Sequence, residues 1–192
     1  APSLKPEERR RAIVRATLPL IREHGFDIST ADIARAAGVA EGTLFRAFVS
    51  KDEILQAVVE LVMDPADSIA ELAAIDRTLP LRDRMIAIMH ISCAQIVEIS
   101  RLMSALHASG GSHVHPARSR ERHRTHTQAM IDAIAGVLAP DADRLRLAAT
   151  QTASLLRSLA FATSHPYISD GIVTDPETVV DILLTGALKE DR

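Results

Sequence analysis

Tryptophan is absent from this 192-residue sequence, tyrosine occurs once and phenylalanine four times. With apolar content at 47% and made mostly of Ala, Leu and Ile, so few aromatics favour helices over pleated sheets, and the expected class is all-α. The single cysteine, Cys93, excludes an internal disulfide. No charged-then-apolar leader and no long uninterrupted apolar run is visible, so the expectation is a cytoplasmic protein without a membrane partner. Gly-x-Ser-x-Gly, Cys-x-x-Cys, P-loop and His-Glu-x-x-His sequences are missing as well, and the His and Ser residues form no recognisable catalytic arrangement. Neither an enzyme nor a cofactor is therefore expected.

A large charge of one sign is also lacking, since the net is -3. Its distribution is uneven. Residues 1–51 hold nine Lys/Arg against six Asp/Glu, a net of +3, which leaves -6 for the rest. A chain polarised in this way can bring its basic end to a phosphate backbone while the acidic remainder stays away.

The punctuation divides the chain into helices. Ile13, Ala16, Leu20 and Ile21 follow the helical period from about Glu7 to His24, with Gly25 as a stop and Pro19 as an expected kink or local strain. Ser29 can cap a short helix from Thr30 to Ala37, with Asp32 closing a capping box. Gly38 permits a turn, a second short helix follows from Glu41 to about Phe48, and Ser50 caps a third from Lys51 to about Val62. Two short helices across a Gly-containing turn, flanked by longer ones, form the helix-turn-helix pattern. Ile33, Ala34 and Ala37 supply its inner face, and Val39, Leu44, Phe45 and Phe48 are expected to lock the second helix to the core. Glu41, Gly42, Thr43, Arg46 and Ala47 then face outward or lie at the amino end. Small residues there admit a close backbone approach, Thr43 can bond a phosphate or base, and Arg46 can reach a guanine edge or a phosphate.

The stretch DIARAAGVAEGTLFRAFVSKDEIL, residues 32–55, resembles the signature of the TetR family of bacterial regulators: an I-A element, an A-G-V turn, a G-T-[LIF]-[YF]-x-x-F recognition helix and a Lys opening the next helix. The resemblance implies double-stranded DNA with a palindromic operator as partner, a small-molecule effector and a homodimer. It assigns Thr43 and Arg46 to the recognition helix and Lys51 to a phosphate. Phe45 stands where the family usually has Tyr, so a phosphate bond through that hydroxyl is lost and apolar packing is all that carries over. Ser29 and Thr30 are the remaining candidates for DNA contact, although Ile28 and Thr30 depart from the family pattern. The implied architecture is a three-helix helix-turn-helix head over residues 1–62, joined to a larger helical effector-binding and dimerisation domain over residues 63–192.

In that second region Pro80 opens a long helix from Leu81 to His107, apolar around much of its circumference. Met85, Met89, His90, Ser92, Cys93 and Met103 give it adaptable apolar surface with polar handles, the candidate site for a mostly apolar effector. Further helices are expected from Ala66 to Ile75, Pro116 to Leu138, Pro140 to Ser164 and Asp175 to about Leu188. Between Leu145 and Ser164 two apolar stripes appear, one for the helix's own core and one for a partner; a wide intramolecular core is the alternative. His107, His113, His115, His123 and His126 crowd together, but no Cys or clear carboxylate set completes a ligand group, and no metal site is assigned. Three alternatives stay open at this point: a metal-responsive regulator on the same scaffold, a helical enzyme, and an interaction module that does not bind DNA.

Overall fold

The computed structural model describes residues 5–108, 116–165, 168–169 and 175–187, with backbone alone for 116–120 and 187. Residues 109–112, together with His113, His115 and Leu188, lie outside the described residues. Helices make up the fold, and no β-strand occurs among the described residues. They are α1 Pro6–His24, α2 Thr30–Ala36, α3 Glu41–Ala47, α4 Lys51–Met63, α5 Ala66–Ala74, α6 Leu81–Ala108, α7 Pro116–Leu138, α8 Ala149–Ser164 and α9 Pro176–Ala187, with a 3-10 turn at Ala139–Arg144.

The chain divides into two compact units, Ala1–Asp64 with Arg101–Arg120, and Pro65–Ser100 with Glu121–Arg192. In the first, called the head below, Ile13 and Ile21 of α1, Ile33 of α2, Leu44 of α3 and Ile54, Leu55 and Val58 of α4 are almost wholly buried. Leu102 and Leu106, from the last turns of α6, complete this cluster. At roughly 1.5–3 kcal/mol for each buried aliphatic side chain, these residues fix how the short helices pack. Pro19 stays inside an unbroken α1. Its missing N–H would have bonded the Arg15 carbonyl, and both residues are exposed, so water can serve that carbonyl instead.

The second unit, the body, is built on Met85, Ile88 and Met89 of α6, with Ile134 and Val137 of α7, Ala153, Leu156 and Ala160 of α8, and Val180 of α9. By length and composition α6 could cross a bilayer. Its apolar positions are instead used in these two cores, and it also carries Arg84, only 2% exposed. Arg84 donates to the Leu79 carbonyl at 3.0 Å, to the Val137 carbonyl at 2.5 Å and to the Asp141 carboxylate, so each nitrogen of the buried cation has an acceptor. Burial pushes the Asp141 carboxyl up, but the hydrogen bonds from Arg144 and Arg84 outweigh it and hold the group below its ordinary value.

That network explains a departure from the expected Pro140–Ser164 helix. With Asp141 held by Arg84 and Arg144, the chain forms the 3-10 turn, and Leu145 then adopts extended backbone, φ -83 and ψ 141. Its side chain is only 2% exposed. A new helix starts at Ala149, where the Gln151 side chain accepts from the Ala148 N–H at 3.1 Å. Leu145 and Ala148 therefore do not belong to an α8 stripe. Of the two expected stripes, the one through Ala153, Leu156 and Ala160 faces the core, while Leu155 and Ala162 are exposed. On α9 the Asp175 carboxylate accepts from the N–H groups of Glu177 and Thr178, capping the helix. Arg82 grips Asp181 with two bonds of 2.6 and 2.9 Å, tying α6 to α9.

Candidate nucleic-acid interface

The head presents α3 through three local devices. Ser29 Oγ accepts from the Asp32 N–H at 3.1 Å while Asp32 Oδ2 accepts from the Ser29 N–H at 3.2 Å, so α2 begins with a reciprocal cap. The Ser29 bonds, aided by Arg35, also hold the Asp32 carboxyl below its ordinary value. Gly38 ends α2 at φ +65. There the Val39 N–H reaches the Ala34 carbonyl and the Gly38 N–H the Arg35 carbonyl, the paired bonds of a Schellman turn. The Thr30 hydroxyl then donates to the Glu41 carboxylate, joining the first residue of α2 to the first of α3.

The far end of α3 is clamped by Arg10, which the sequence reading did not single out. Its guanidinium donates to the Ala47 carbonyl and, at 2.7 Å, to Glu53 Oε1, and lies 4.1 Å over the Phe48 ring. Glu53 Oε2 also accepts from the Val49 N–H at 2.6 Å. The Arg10 bond, with that N–H, holds the Glu53 carboxyl below its ordinary value against the opposing effect of burial. A residue of α1 distant in sequence thus joins the α3–α4 corner, and Ser50 caps α4 by accepting from the Glu53 N–H.

Leu44 at 0% and Phe48 at 2% exposure fix which side of α3 points inward. Glu41, Gly42, Phe45 and Arg46 are exposed, at i, i+1, i+4 and i+5, and share one face; Thr43 is half-buried beside them. Two expectations change. Phe45, expected to lock α3 to the core, is 49% exposed. Leu44 and Phe48 already fill the inward line, and Phe45 stands about 100° round from Leu44. Ala47, expected to face outward, is half-buried against the head cluster with its carbonyl taken by Arg10.

Arg46 is exposed and Lys51 half-buried, and neither has an acidic partner among the described residues. Arg10 and Arg35, by contrast, are paired with Glu53 and Asp32. The hydroxyls of Ser29 and Thr30 already donate, to Asp32 and Glu41 respectively, so a phosphate bond from either requires exchanging an existing one. An added Cβ at Gly42 would meet nothing within 4 Å.

The six candidate effector residues are not brought together. Met85, Met89 and Ser92 are buried in the body and Cys93 half-buried there, its sulfur 4.0 Å from Thr163 Oγ1. Among the described residues the Ser92 hydroxyl has no hydrogen-bond partner, and neither has that of buried Thr152. His90 is exposed, its Nε2 3.1 Å from Glu177 Oε1, and Met103 packs against the head cluster. The helical period of α6 runs on unbroken from one unit into the other, which is why sequence alone grouped Met103 with Met85 and Met89. Arg157 of α8, half-buried without a partner among the described residues, went unnoticed in the sequence; desolvation lowers its pKa.

The model for bacterial regulatory proteins of the tetR family matches residues 13–58, the segment carrying α2, α3 and the partners of Arg10 in the corner clamp, but not Arg10 itself. A relative, the HTH-type transcriptional regulator SAR0097 of Staphylococcus aureus (strain MRSA252), is 36% identical over 81 residues. That match covers 40% of this chain and 42% of the relative's length. Among solved structures, the superantigen PfiT is 24% identical with a TM-score of 0.62, covering 98% of this chain and 100% of that one. A tetR-family transcriptional regulator from Streptomyces coelicolor is 21% identical with a TM-score of 0.63, covering 95% and 80%. At these identities the structures establish a shared fold and no more. Residues 13–58 thus match the tetR family of bacterial regulatory proteins, and the chain as a whole shares its fold with the solved structures.

Proposed function

We propose that the protein is a cytoplasmic, ligand-responsive regulator of transcription, a homodimer that binds a palindromic double-stranded operator through α3 and releases it when a small, mostly apolar effector occupies the body. The observation carrying this reading is the outer face of α3. Arg46 on α3 and Lys51 at the start of α4 have no acidic partner among the described residues, and α3 is held at one end by the Thr30–Glu41 bond and at the other by Arg10. Unpaired cations beside an unobstructed glycine suit a phosphate backbone and base edges. Domains at 1–62 and 63–192 and DNA contacts by Thr43, Arg46 and Lys51 are part of the reading, with Ser29, Thr30, Glu41 and Phe45 at the same surface.

Support for the dimer comes from the outer sides of α8 and α9. Leu155 at 37%, Phe161 at 45% and Ile182 at 65% exposure leave apolar area for a second copy to cover. Two copies place two recognition helices, which read half-sites about 34 Å apart or a multiple of that. Release follows by linkage if the effector prefers the state that cannot bind DNA. For the effector, Met85, Met89, Ser92 and Cys93 remain the candidate lining, with the unpartnered Ser92 and Thr152 hydroxyls as polar handles.

Selection of bound duplexes from a random pool tests the reading. The expected product is a palindrome whose enrichment falls when lipophilic compounds are added. Failure to enrich any sequence at low salt overturns it.

A further inference from the structure

The chain uses its four phenylalanines in two ways. Phe26 and Phe48 are 2% exposed and belong to the head core. Phe45 and Phe161 are 49% and 45% exposed, and each lies on a face proposed above as an interface. A single exposed apolar residue is ordinary on a protein surface. Phe45 stands out by its company: Glu41 one turn before it, open space over Gly42 one residue beyond that, and next to it Arg46, which has no acidic partner among the described residues.

A phenyl ring neither donates nor accepts a hydrogen bond of ordinary strength, so it can bind neither a phosphate oxygen nor the polar edge of a base. The major groove offers one kind of apolar group to such a ring in unmodified DNA, the 5-methyl of thymine. We infer that Phe45 is a specificity-determining residue that selects a thymine in each half-site by packing its ring on that methyl group. This rests on the DNA-binding reading above and adds to it a base identity that Arg46 and Lys51 do not supply. Because Leu44 and Phe48 hold α3 inward, the Phe45 ring is spared from the core for this contact.

Deoxyuridine replaces thymine without its methyl and alters nothing else in the pairing, which makes it the probe. On a duplex from the selection, each thymine is replaced in turn, and affinity is measured for the wild type, Phe45→Ala and Thr43→Ser, the last removing the other side-chain methyl on that face. One symmetric pair of positions is expected to weaken the wild type, by about fourfold for one half-site and about fifteenfold for both, the worth of one buried methyl at each. Thr43→Ser keeps that discrimination, whereas Phe45→Ala binds both duplexes equally. Should Phe45→Ala bind too weakly to measure, Phe45→Gln, which has reach but no apolar ring, is read in the same way. A wild type indifferent to every replacement, or discrimination that survives the loss of the ring, overturns the assignment of Phe45 while leaving DNA binding intact. Absence of binding to any duplex counts against the parent reading instead.

Discussion

The head and the body hold themselves together over different distances. In the head, most of what presents α3 lies within a short stretch of chain: the Ser29–Asp32 cap, the Gly38 turn, the Thr30–Glu41 bond and the Ser50 cap. In the body, the polar bonds that organise the helices join residues far apart in sequence, 57 positions for Arg84–Asp141, 87 for His90–Glu177 and 99 for Arg82–Asp181. A surface built from local devices can change its outward residues without disturbing its frame. A unit organised around a buried cation cannot. The contrast predicts that outward residues of α3 govern binding and that Arg84 governs stability.

The largest expected effect is at Arg84. Arg84→Ala removes three donors at once and leaves the Leu79 and Val137 carbonyls and part of the Asp141 carboxylate unserved, which should destabilise the protein by about 3–5 kcal/mol. Urea unfolding followed by circular dichroism measures this; a loss below about 1 kcal/mol, the range of surface ion pairs, would remove the contrast. Gly42→Ala should act the other way round. Nothing obstructs the added methyl, so the folded head gains up to about 1 kcal/mol of helix propensity. Operator affinity should nevertheless drop about tenfold, comparable to one lost base or phosphate contact, because the methyl occupies the space needed for close approach. A variant that melts higher and binds as tightly as wild type would show that Gly42 does not face the DNA.

The same contrast explains what could be read from the sequence. The boundaries of α2, α3 and α4 fell within one residue of expectation because their caps and stops are adjacent residues: Ser29 with Asp32, Gly38, and Ser50 with Glu53. Arg10 escaped notice because its partners, Ala47, Phe48 and Glu53, are distant in sequence. Phe45 was misplaced because periodicity cannot say which of two adjacent apolar residues points inward; here the Leu44–Phe48 pair decides it. The break at Leu145 was hidden for a related reason, since Pro140 and Asp141 read as a helix start until Arg84 is known to hold Asp141. In the candidate effector group, His90 turned out to be surface-bound to Glu177, a pairing that no local pattern announces.

The most direct test of the central claim, that the outer face of α3 and the start of α4 meet DNA, is the salt dependence of binding to the selected duplex for wild type, Arg46→Ala and Lys51→Ala. Both variants should bind more weakly. Lys51→Ala should do so across all sequences, with a salt slope shallower by about 1, while Arg46→Ala also relaxes base preference. Equal affinities and equal slopes for all three proteins would contradict the account.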